Sequence, residues 1–318
     1  MIKHAPARLL FLILMLSSGL HAAMADSLTH LSPGVLIDAD RAEAWIADSS
    51  GYARAIELGT GGSRWRSADQ AFPLTILDGQ LLALGHASQT GLGVLLMLDV
   101  ESGRTVERME FGLPELVIAN ARHSTSGQFE VSVERLDQAV RLHWRFLSRP
   151  FRGARATDPA AESSPASRSL SGAVDIARVD SRTLVQAADQ AHAPAPVILE
   201  LVGDLRSTTV SGRQFRAASG AEILSSERIE ASGAFPYRWN LHRPDGARLG
   251  SLRASSSRAD FVVYGDVVFY RARPLAFRNA DAEWANMPER LVCYDLQGGI
   301  ERWSIAILDR AFKGPLPP

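Results

Sequence analysis

One nine-residue segment, Glu57-Leu58-Gly59-Thr60-Gly61-Gly62-Ser63-Arg64-Trp65, has a spacing that recurs near the C-terminus as Asp295-Leu296-Gln297-Gly298-Gly299-Ile300-Glu301-Arg302-Trp303. In both segments an acid comes first, a glycine follows four residues later, and a tryptophan comes four residues after that glycine. A third segment keeps the acid and the glycine as Asp99 and Gly103 and has Glu107 in the place of the tryptophan. The chain therefore repeats one local pattern.

This spacing fits a hairpin between two antiparallel strands. The acid ends the first strand, where its carboxylate accepts N–H groups of the turn, and the glycine supplies the left-handed backbone conformation that closes a short loop. The tryptophan position lies on the returning strand, where a large ring packs well against a neighbouring sheet. We therefore predict eight structural repeat positions, namely Glu57, Gly61, Trp65, Asp99, Gly103, Asp295, Gly299 and Trp303.

Much of the remaining chain alternates apolar and polar residues, which is the pattern of strands with one buried face. Residues 129–135 alternate in this way, and residues 140–146 do so again after a short break. The pairs Asp78-Gly79 and Gly265-Asp266 each separate two apolar runs, as the turn of a tight hairpin does. Helical periodicity is hard to find after residue 26, so the sequence predicts an all-β fold.

The repeat has the length of a propeller blade. Gly61 and Gly103 are 42 residues apart, and each unit contains four strand patterns joined by turns. A four-stranded unit of about 40–45 residues is typical of a β-propeller blade. We predict a single β-propeller over residues 26–318, built from four-stranded antiparallel blades, with about seven blades and a range of six to eight.

Three segments depart from the repeat and are predicted to be irregular loops. Residues near 152–172 and 187–196 are rich in small residues and proline, and they cannot bury much apolar surface. The segment 271–288 lengthens the last unit, and its large or charged side chains include Arg271, Arg273, Phe277 and Trp284. These four residues form either a contact surface for a partner or an ordinary hairpin extension, and we favour the extension.

The first 25 residues are typical of a secretory signal peptide. Lys3 and Arg8 flank an apolar run, residues 9–16, that is too short to span a membrane. Ala23-Met24-Ala25 has the form that signal peptidase cleaves. We expect cleavage after Ala25, a periplasmic or secreted mature chain, and no transmembrane anchor.

Composition excludes several kinds of partner and site. The chain has 34 basic and 35 acidic side chains, which argues against nucleic acid because phosphate binding depends on clustered positive charge. The single cysteine, Cys293, excludes an internal disulfide and is expected to be a buried structural thiol. HExxH, CxxC and G-x-S-x-G are absent, so no catalytic residue and no metal ligand is predicted. His143 is expected on a solvent-facing side of its strand.

At Ala55-Ile56-Glu57…Thr60-Gly61…Trp65 and Cys293-Tyr294-Asp295…Gly299…Trp303 the chain resembles the PQQ-like, or quinoprotein-type, β-propeller repeat family. Blades of that family read A-L-D-x-x-T-G-x-x-x-W. The resemblance covers residues 35–109 and 260–309, whereas residues 110–147 match less well and residues 148–259 match poorly. It implies a propeller fold and leaves the function open between enzyme and scaffold.

The enzymatic members of the family hold pyrroloquinoline quinone against a disulfide of adjacent cysteines, with calcium bound by Glu, Asn and Asp. A chain with one cysteine cannot form that disulfide, and its sequence contains no recognisable calcium cluster. PQQ and calcium are therefore not expected. The resemblance to the non-enzymatic periplasmic members implies a propeller that binds a protein or peptide partner in the cell envelope. A quinone-dependent oxidoreductase, or another enzyme with a site in the propeller funnel, is the alternative.

Overall fold

A computed structural model of the chain describes residues 28–32, 34–86, 92–113, 127–136, 139–148, 168–179, 182–187, 213–218, 222–229, 234–278 and 284–308. The regular elements in these ranges are all strands, and none of the described residues forms a helix that is long and apolar enough to cross a membrane. The predicted all-β fold is confirmed. The strands are β1 (Leu28–Ser32), β2 (Val35–Asp38), β3 (Glu43–Ala47), β4 (Tyr52–Glu57), β5 (Ser63–Leu77), β6 (Gln80–Gly85), β7 (Leu92–Asp99), β8 (Thr105–Gly112), β9 (Gly127–Arg135), β10 (Ala139–Ser148), β11 (Arg168–Val179), β12 (Arg182–Ala187), β13 (Arg213–Arg216), β14 (Ile223–Arg228), β15 (Tyr237–His242), β16 (Arg248–Ala254), β17 (Phe261–Tyr264), β18 (Val267–Ala272), β19 (Leu275–Arg278), β20 (Trp284–Met287), β21 (Arg290–Asp295) and β22 (Ile300–Ala306).

The described strands form one eight-stranded antiparallel sheet, β1–β8, three four-stranded sheets and the two-stranded sheet β19–β20. We divide the eight-stranded sheet at β5, which gives five four-stranded blades, named I to V in chain order. Blade I contains β2, β3, β4 and the first half of β5, and blade II contains the second half of β5 with β6, β7 and β8. Blade III is β9–β12, blade IV is β13–β16, and blade V is β17, β18, β21 and β22. The long strand β5 pairs with β4 as far as Gln70 and with β6 from Ala71 onward, so it joins two blades without a loop.

Four pairs of blades pack face to face through buried apolar side chains. Four clusters of buried residues join blade I to II, II to III, IV to V, and V back to I. Representative members of the four clusters are Trp45 with Leu96, Leu95 with Phe146, Trp239 with Tyr270, and Ile46 with Phe269. Burial of these aliphatic and aromatic side chains is the main source of stability in the fold. Because the first and last blades pack on each other, the chain is a β-propeller.

The number of blades stays a prediction. Five blades lie in the described part of the chain, and residues 188–212, between blades III and IV, lie outside it. The predicted loops near 152–172 and 187–196 also lie largely outside the described residues. Where they are described, residues 168–172 begin β11 and residue 187 ends β12, so these residues belong to strands instead.

The prediction of an irregular loop at 271–288 is wrong for its backbone. Residues Leu275–Arg278 and Trp284–Met287 pair as the antiparallel hairpin β19–β20, inserted between β18 and β21 of blade V. The physical reason is that backbone pairing satisfies the N–H and C=O groups of the insertion. This backbone agrees with the favoured interpretation of an ordinary hairpin extension.

The strand β1 lies on the inner side of the ring. It pairs with β2, the first strand of blade I. The Oγ1 atom of Thr29 is 3.0 Å from the hydroxyl of Tyr264 on β17, and Nε2 of His30 is 3.5 Å from Oγ1 of Thr75 on β5. The first strands of blades line the central channel of a propeller. Because β1 contacts the first strands of blades I, II and V, it lines the channel on the side of these three blades.

Candidate functional site

The acids of the repeat hold the turns that follow them. Asp99 Oδ1 accepts a hydrogen bond from the backbone N–H of Ser102 at 2.8 Å, and Asp295 Oδ1 accepts from the backbone N–H of Gly298 at 2.9 Å. Side-chain and backbone hydrogen bonds from Ser102 hold the pKa of Asp99 below its usual value, and the hydrogen bond from Gly298 does the same for Asp295. Glu57 accepts from the Thr60 hydroxyl at 2.7 Å. These carboxylates are therefore engaged in local structure.

The glycines and tryptophans of the repeat meet between neighbouring blades. The indole N–H of Trp65 donates to the carbonyl of Val100 at 2.7 Å, and a Cβ atom at Gly103 would lie only 2.3 Å from the Trp65 ring. Gly103 also has a φ of +68°, a conformation that favours glycine. A tryptophan on the outer strand of blade I thus packs on the turn of blade II.

The same contact joins the last blade to the first. Trp303 on β22 donates its indole N–H to the carbonyl of Leu58 at 2.9 Å. A Cβ atom at Gly61 would lie 2.6 Å from Cγ of Trp303, and Gly61 has a φ of +72°. Gly299 shares the positive φ, at +67°, but lies near no tryptophan ring. The eight repeat positions thus form turns or contacts between blades V, I and II, and Gly299 closes its turn by donating its N–H to the carbonyl of Asp295 at 3.0 Å.

An ion-pair network covers the junction of blades I and II. The carboxylate of Glu43 on β3 is 1% exposed and lies 3.3 Å from the guanidinium of Arg64, which also donates to Glu101 at 3.2 Å. Neither oxygen of Glu43 accepts a hydrogen bond from the described residues. Burial raises the pKa of Glu43, and the charge of Arg64 offsets part of that effect.

A Glu43→Gln variant is expected to gain stability relative to the wild type as the pH rises. Because the pKa of Glu43 is raised in the folded state, the folded protein binds this proton more tightly than the unfolded chain does. The wild type therefore loses stability as the pH rises through that raised pKa, whereas the variant has no such proton to lose. Urea unfolding at mildly acidic and neutral pH should show the difference growing in favour of the variant as the pH rises. Glu101→Gln, an exposed member of the same network, is the control, and an equal difference at both pH values would contradict the account.

A groove of about 480 Å³ opens between blades IV and V. This volume lies within the range of about 300–1,000 Å³ that is usual for ligand sites. Its lining is polar and aromatic and consists of Phe235, Arg238, Ser251, Leu252, Arg253, Tyr270, Arg290, Tyr294 and Glu301. A second pocket at the base of the inserted hairpin shares Phe235, Tyr270 and Arg290 with this lining and adds Arg273, Leu275 and Met287, and we include it in the groove. The groove is the candidate functional site.

The blade IV side of the groove carries adjacent arginines. Arg238 on β15 lies directly opposite Glu227 on β14 and directly opposite Arg253 on β16. Arg238 donates to Glu227 at 3.3 Å. Arg253 is exposed and has no acidic partner among the described residues. The row formed by Glu227, Arg238 and Arg253 therefore contains two positive charges and one negative charge. Because like charges directly opposite each other on neighbouring strands are destabilising, a further negative charge beside Arg253 would stabilise the row.

The blade V side of the groove offers paired charges and phenol groups. The guanidinium of Arg290 lies 3.5 Å from the carboxylate of Glu301 and donates to Ser304 Oγ at 2.9 Å. Burial raises the pKa of Tyr270 and of Tyr294, so both hydroxyls keep their protons near neutral pH. Both tyrosines therefore remain hydrogen-bond donors beside the arginines.

Two of the residues predicted as a contact loop have different surroundings. Arg271 is 2% exposed and lies 2.5 Å from the carboxylate of Glu289, which is 1% exposed. Arg271 is therefore not a surface contact residue, because its charge is needed to neutralise Glu289 inside the blade. Arg273, two residues later, is exposed and lines the groove. The other two residues of that prediction, Phe277 and Trp284, lie on β19 and β20, and their side chains are outside the described part of the structure.

The groove therefore has an excess of positive charge beside apolar surface. Five arginines line it, and three carboxylates, Glu227, Glu289 and Glu301, pair with three of them. The other two, Arg253 and Arg273, have no carboxylate partner within the described residues. Phe235 lies between the two parts of the surface and is 41% exposed. Such a surface can bind carboxylates through guanidinium groups and apolar side chains through the phenyl ring.

Two further residues discussed from the sequence have clear positions. Cys293 on β21 is 1% exposed, and burial raises the pKa of its thiol to about 11, so the prediction of a buried structural thiol is confirmed. The prediction that His143 faces solvent is wrong, since the residue is 3% exposed. Both faces of β10 are covered at this point, since Leu142, His143 and Trp144 are all buried, and Nε2 of His143 is 3.0 Å from the Glu134 carboxylate. No cluster of metal-ligating side chains occurs within the described ranges.

Comparison with known proteins gives likenesses to solved structures alone. No protein-family model matches the chain, and no curated protein matches it. BamB from Moraxella catarrhalis is 15% identical over 86% of this chain and 63% of its own, with a TM-score of 0.28. The Swd1 β-propeller domain from Myceliophteria thermophila is 11% identical over 86% and 83%, with a TM-score of 0.24. A quinohemoprotein alcohol dehydrogenase from Pseudomonas putida is 10% identical over 83% and 57%, with a TM-score of 0.23.

TM-scores this low carry no argument about fold or function. The chain spans less than two thirds of the length of BamB and of the dehydrogenase. The propeller fold therefore rests on the strand pairing and blade packing of this chain itself. Membership in the PQQ-like repeat family stays a prediction.

Proposed function

We propose that the protein is a non-catalytic, periplasmic or secreted β-propeller scaffold that binds a protein or peptide partner in the groove between blades IV and V. The observation that carries this proposal is the groove, in which Arg253 and Arg273 lack acidic partners among the described residues. Arginine and aromatic side chains dominate the binding energy of many protein interfaces. A rigid ring of packed blades holds such a surface in place without closing around it.

The position of β1 supports a scaffold over an enzyme with a site in the funnel. A funnel enzyme needs open space in the channel for its substrate, and β1 takes up part of that space beside blades I, II and V. The acids of the repeat are engaged in their turns. The proposal therefore includes neither PQQ nor calcium as a cofactor, and a calorimetric titration with both should show no binding.

The proposed compartment rests on the first 25 residues, which lie outside the described part of the chain. Their charge, apolar run and Ala-Met-Ala ending support export and cleavage after Ala25. N-terminal sequencing of the protein from fractionated cells should find Asp26 as the first residue in the periplasmic or secreted fraction. An uncleaved chain in the cytoplasmic fraction would overturn the proposed location.

Affinity capture from a cell-envelope extract tests the proposed binding. We expect the wild type to recover a specific partner and the groove variant Phe235→Ala/Arg253→Glu/Arg273→Glu to recover at least tenfold less. The matched control is Val106→Ala/Arg104→Glu/Arg108→Glu, which makes the same types of change at exposed residues in and beside β8 of blade II. Both variants should keep the far-UV spectrum and unfolding midpoint of the wild type. Equal recovery by all three proteins, or no recovery by folded wild type, would contradict the proposal.

A further inference from the structure

We infer that the segment bound in the groove is an extended, acidic stretch of the partner chain, which places a carboxylate opposite Arg253 on β16. This inference rests on the proposed function, because it uses the same groove. It adds the charge and the conformation of the ligand. Three features of blades IV and V lead to it.

The first feature is the incomplete row of charges across blade IV. Glu227, Arg238 and Arg253 are directly opposite one another on β14, β15 and β16. The first pair is complementary and the second is repulsive. An acidic residue on a strand added beside β16 would lie directly opposite Arg253. The row would then alternate in sign from end to end.

The second feature is the free edge of blade IV. β16 is the last strand of its sheet and, within the described residues, pairs with β15 alone. The outer edge of such a strand presents N–H and C=O groups that an extended peptide can pair with. Ser251, Leu252 and Arg253 of this strand line the groove. The edge and the groove are therefore parts of one surface.

The third feature is the mixture of apolar and positive groups along the surface. Side chains of a strand point alternately to opposite sides, so an extended ligand can direct carboxylates to one side and apolar groups to the other. Leu252 is buried between the exposed Arg253 and the partly exposed Ser251, and it sets the same alternation on β16. Phe235 and Tyr294 supply the apolar surface nearby.

A small anion explains these features less well. One phosphate would neutralise a guanidinium but would contact neither the edge of β16 nor the exposed ring of Phe235. Nucleic acid is disfavoured because the net charge of the chain is −1 and its positive side chains are scattered. An acidic peptide uses the charge, the free edge and the apolar surface together.

Fluorescence anisotropy with labelled peptides tests the inference. The probe is a short peptide that alternates glutamate with valine, and the comparison peptides replace every glutamate with glutamine or with lysine. We expect the glutamate peptide to bind at least tenfold more tightly than the glutamine peptide. Arg253→Glu should weaken the glutamate peptide at least tenfold and create binding of the lysine peptide. Arg104→Glu, an exposed arginine of blade II, should leave all three affinities unchanged.

The other possible results show whether the acidic ligand alone, or also the proposed function, is wrong. Equal binding of the glutamate and glutamine peptides would overturn the acidic ligand. Displacement of the glutamate peptide by millimolar inorganic phosphate would indicate a small-anion site and would also overturn it. If the peptides fail while envelope capture still depends on the groove residues, the inference is wrong and the proposed function stands. If both experiments fail, the proposed function is wrong as well.

Discussion

Replacing Trp303 with alanine is expected to lower the free energy of unfolding by about 3 kcal/mol. The indole of Trp303 packs on Gly61, donates to the carbonyl of Leu58, and lies 5.8 Å from the ring of Phe269 between centroids. Truncation removes this packing and leaves the Leu58 carbonyl without its donor. Because this contact joins blade V to blade I, its loss should weaken the packing between these two blades. Urea unfolding followed by circular dichroism measures the change.

Two further variants distinguish weaker packing between blades V and I from the general cost of removing a tryptophan side chain. Trp65→Ala removes the same contact between blades I and II, so it should cost a similar free energy without loosening the C-terminal strand. Limited proteolysis should therefore remove β22 faster in Trp303→Ala than in Trp65→Ala. Gly61→Ala, which adds a Cβ against the indole at a positive φ, should reproduce the Trp303 effect. A loss below about 0.5 kcal/mol for Trp303→Ala would contradict this role.

Replacing Arg271 with alanine is expected to cost about 3–5 kcal/mol, because the variant leaves a buried carboxylate without its counter-charge. Arg271 and Glu289 are both almost fully buried, and their charged atoms are 2.5 Å apart. The guanidinium also donates to the carbonyl of Leu308 at 2.8 Å, which ties β18 to the chain after β22. The midpoint of urea unfolding should fall accordingly.

The double variant Arg271→Met/Glu289→Leu is the control for this prediction. It removes both charges and retains most of the buried volume, so its cost should be much smaller than that of Arg271→Ala. A single variant that is as stable as the wild type would contradict a buried ion pair. A double variant that is no better than the single variant would show that packing, and not charge, explains the loss.

Local spacing predicted the repeat, because each turn depends on residues within nine positions of one another. The acid, the glycine with positive φ and the tryptophan act within one hairpin and its neighbour. The number of blades does not follow in this way. Blade III extends from residue 127 to residue 187, well beyond the 42-residue period, because a long segment separates β10 from β11. Chain length divided by the period therefore does not fix the count.

The candidate groove could not be predicted from the sequence, because it depends on pairing between distant residues. Arg238 and Arg253 are 15 residues apart and become neighbours only through the register of β15 and β16. Arg271 and Arg273 are nearly adjacent in sequence, yet Arg271 is buried and Arg273 is exposed. The partner of Arg271 lies beyond the hairpin β19–β20, at Glu289. Alternation alone does not tell which face of a strand meets another blade.

The position of β1 on the inner side of the blades was also beyond sequence analysis. Leu28–Ser32 is an ordinary short strand in composition, and its contacts with Tyr264 and Thr75 exist only in the assembled ring. A strand that follows a predicted signal peptide gives no local indication that it enters a channel. This strand is nevertheless one of the features that favour a scaffold.

Photocrosslinking inside the cell tests most directly that the groove binds a partner chain. The photoreactive residue p-benzoylphenylalanine, placed at Phe235 in the groove, is compared with the same residue at Val106, an apolar position on β8 that is also exposed (50% against 41% for Phe235). We predict a discrete adduct at position 235 that is absent at position 106, with the crosslink mapped to an acidic segment of the partner. No adduct at position 235, or the same adduct at both positions, would contradict the account.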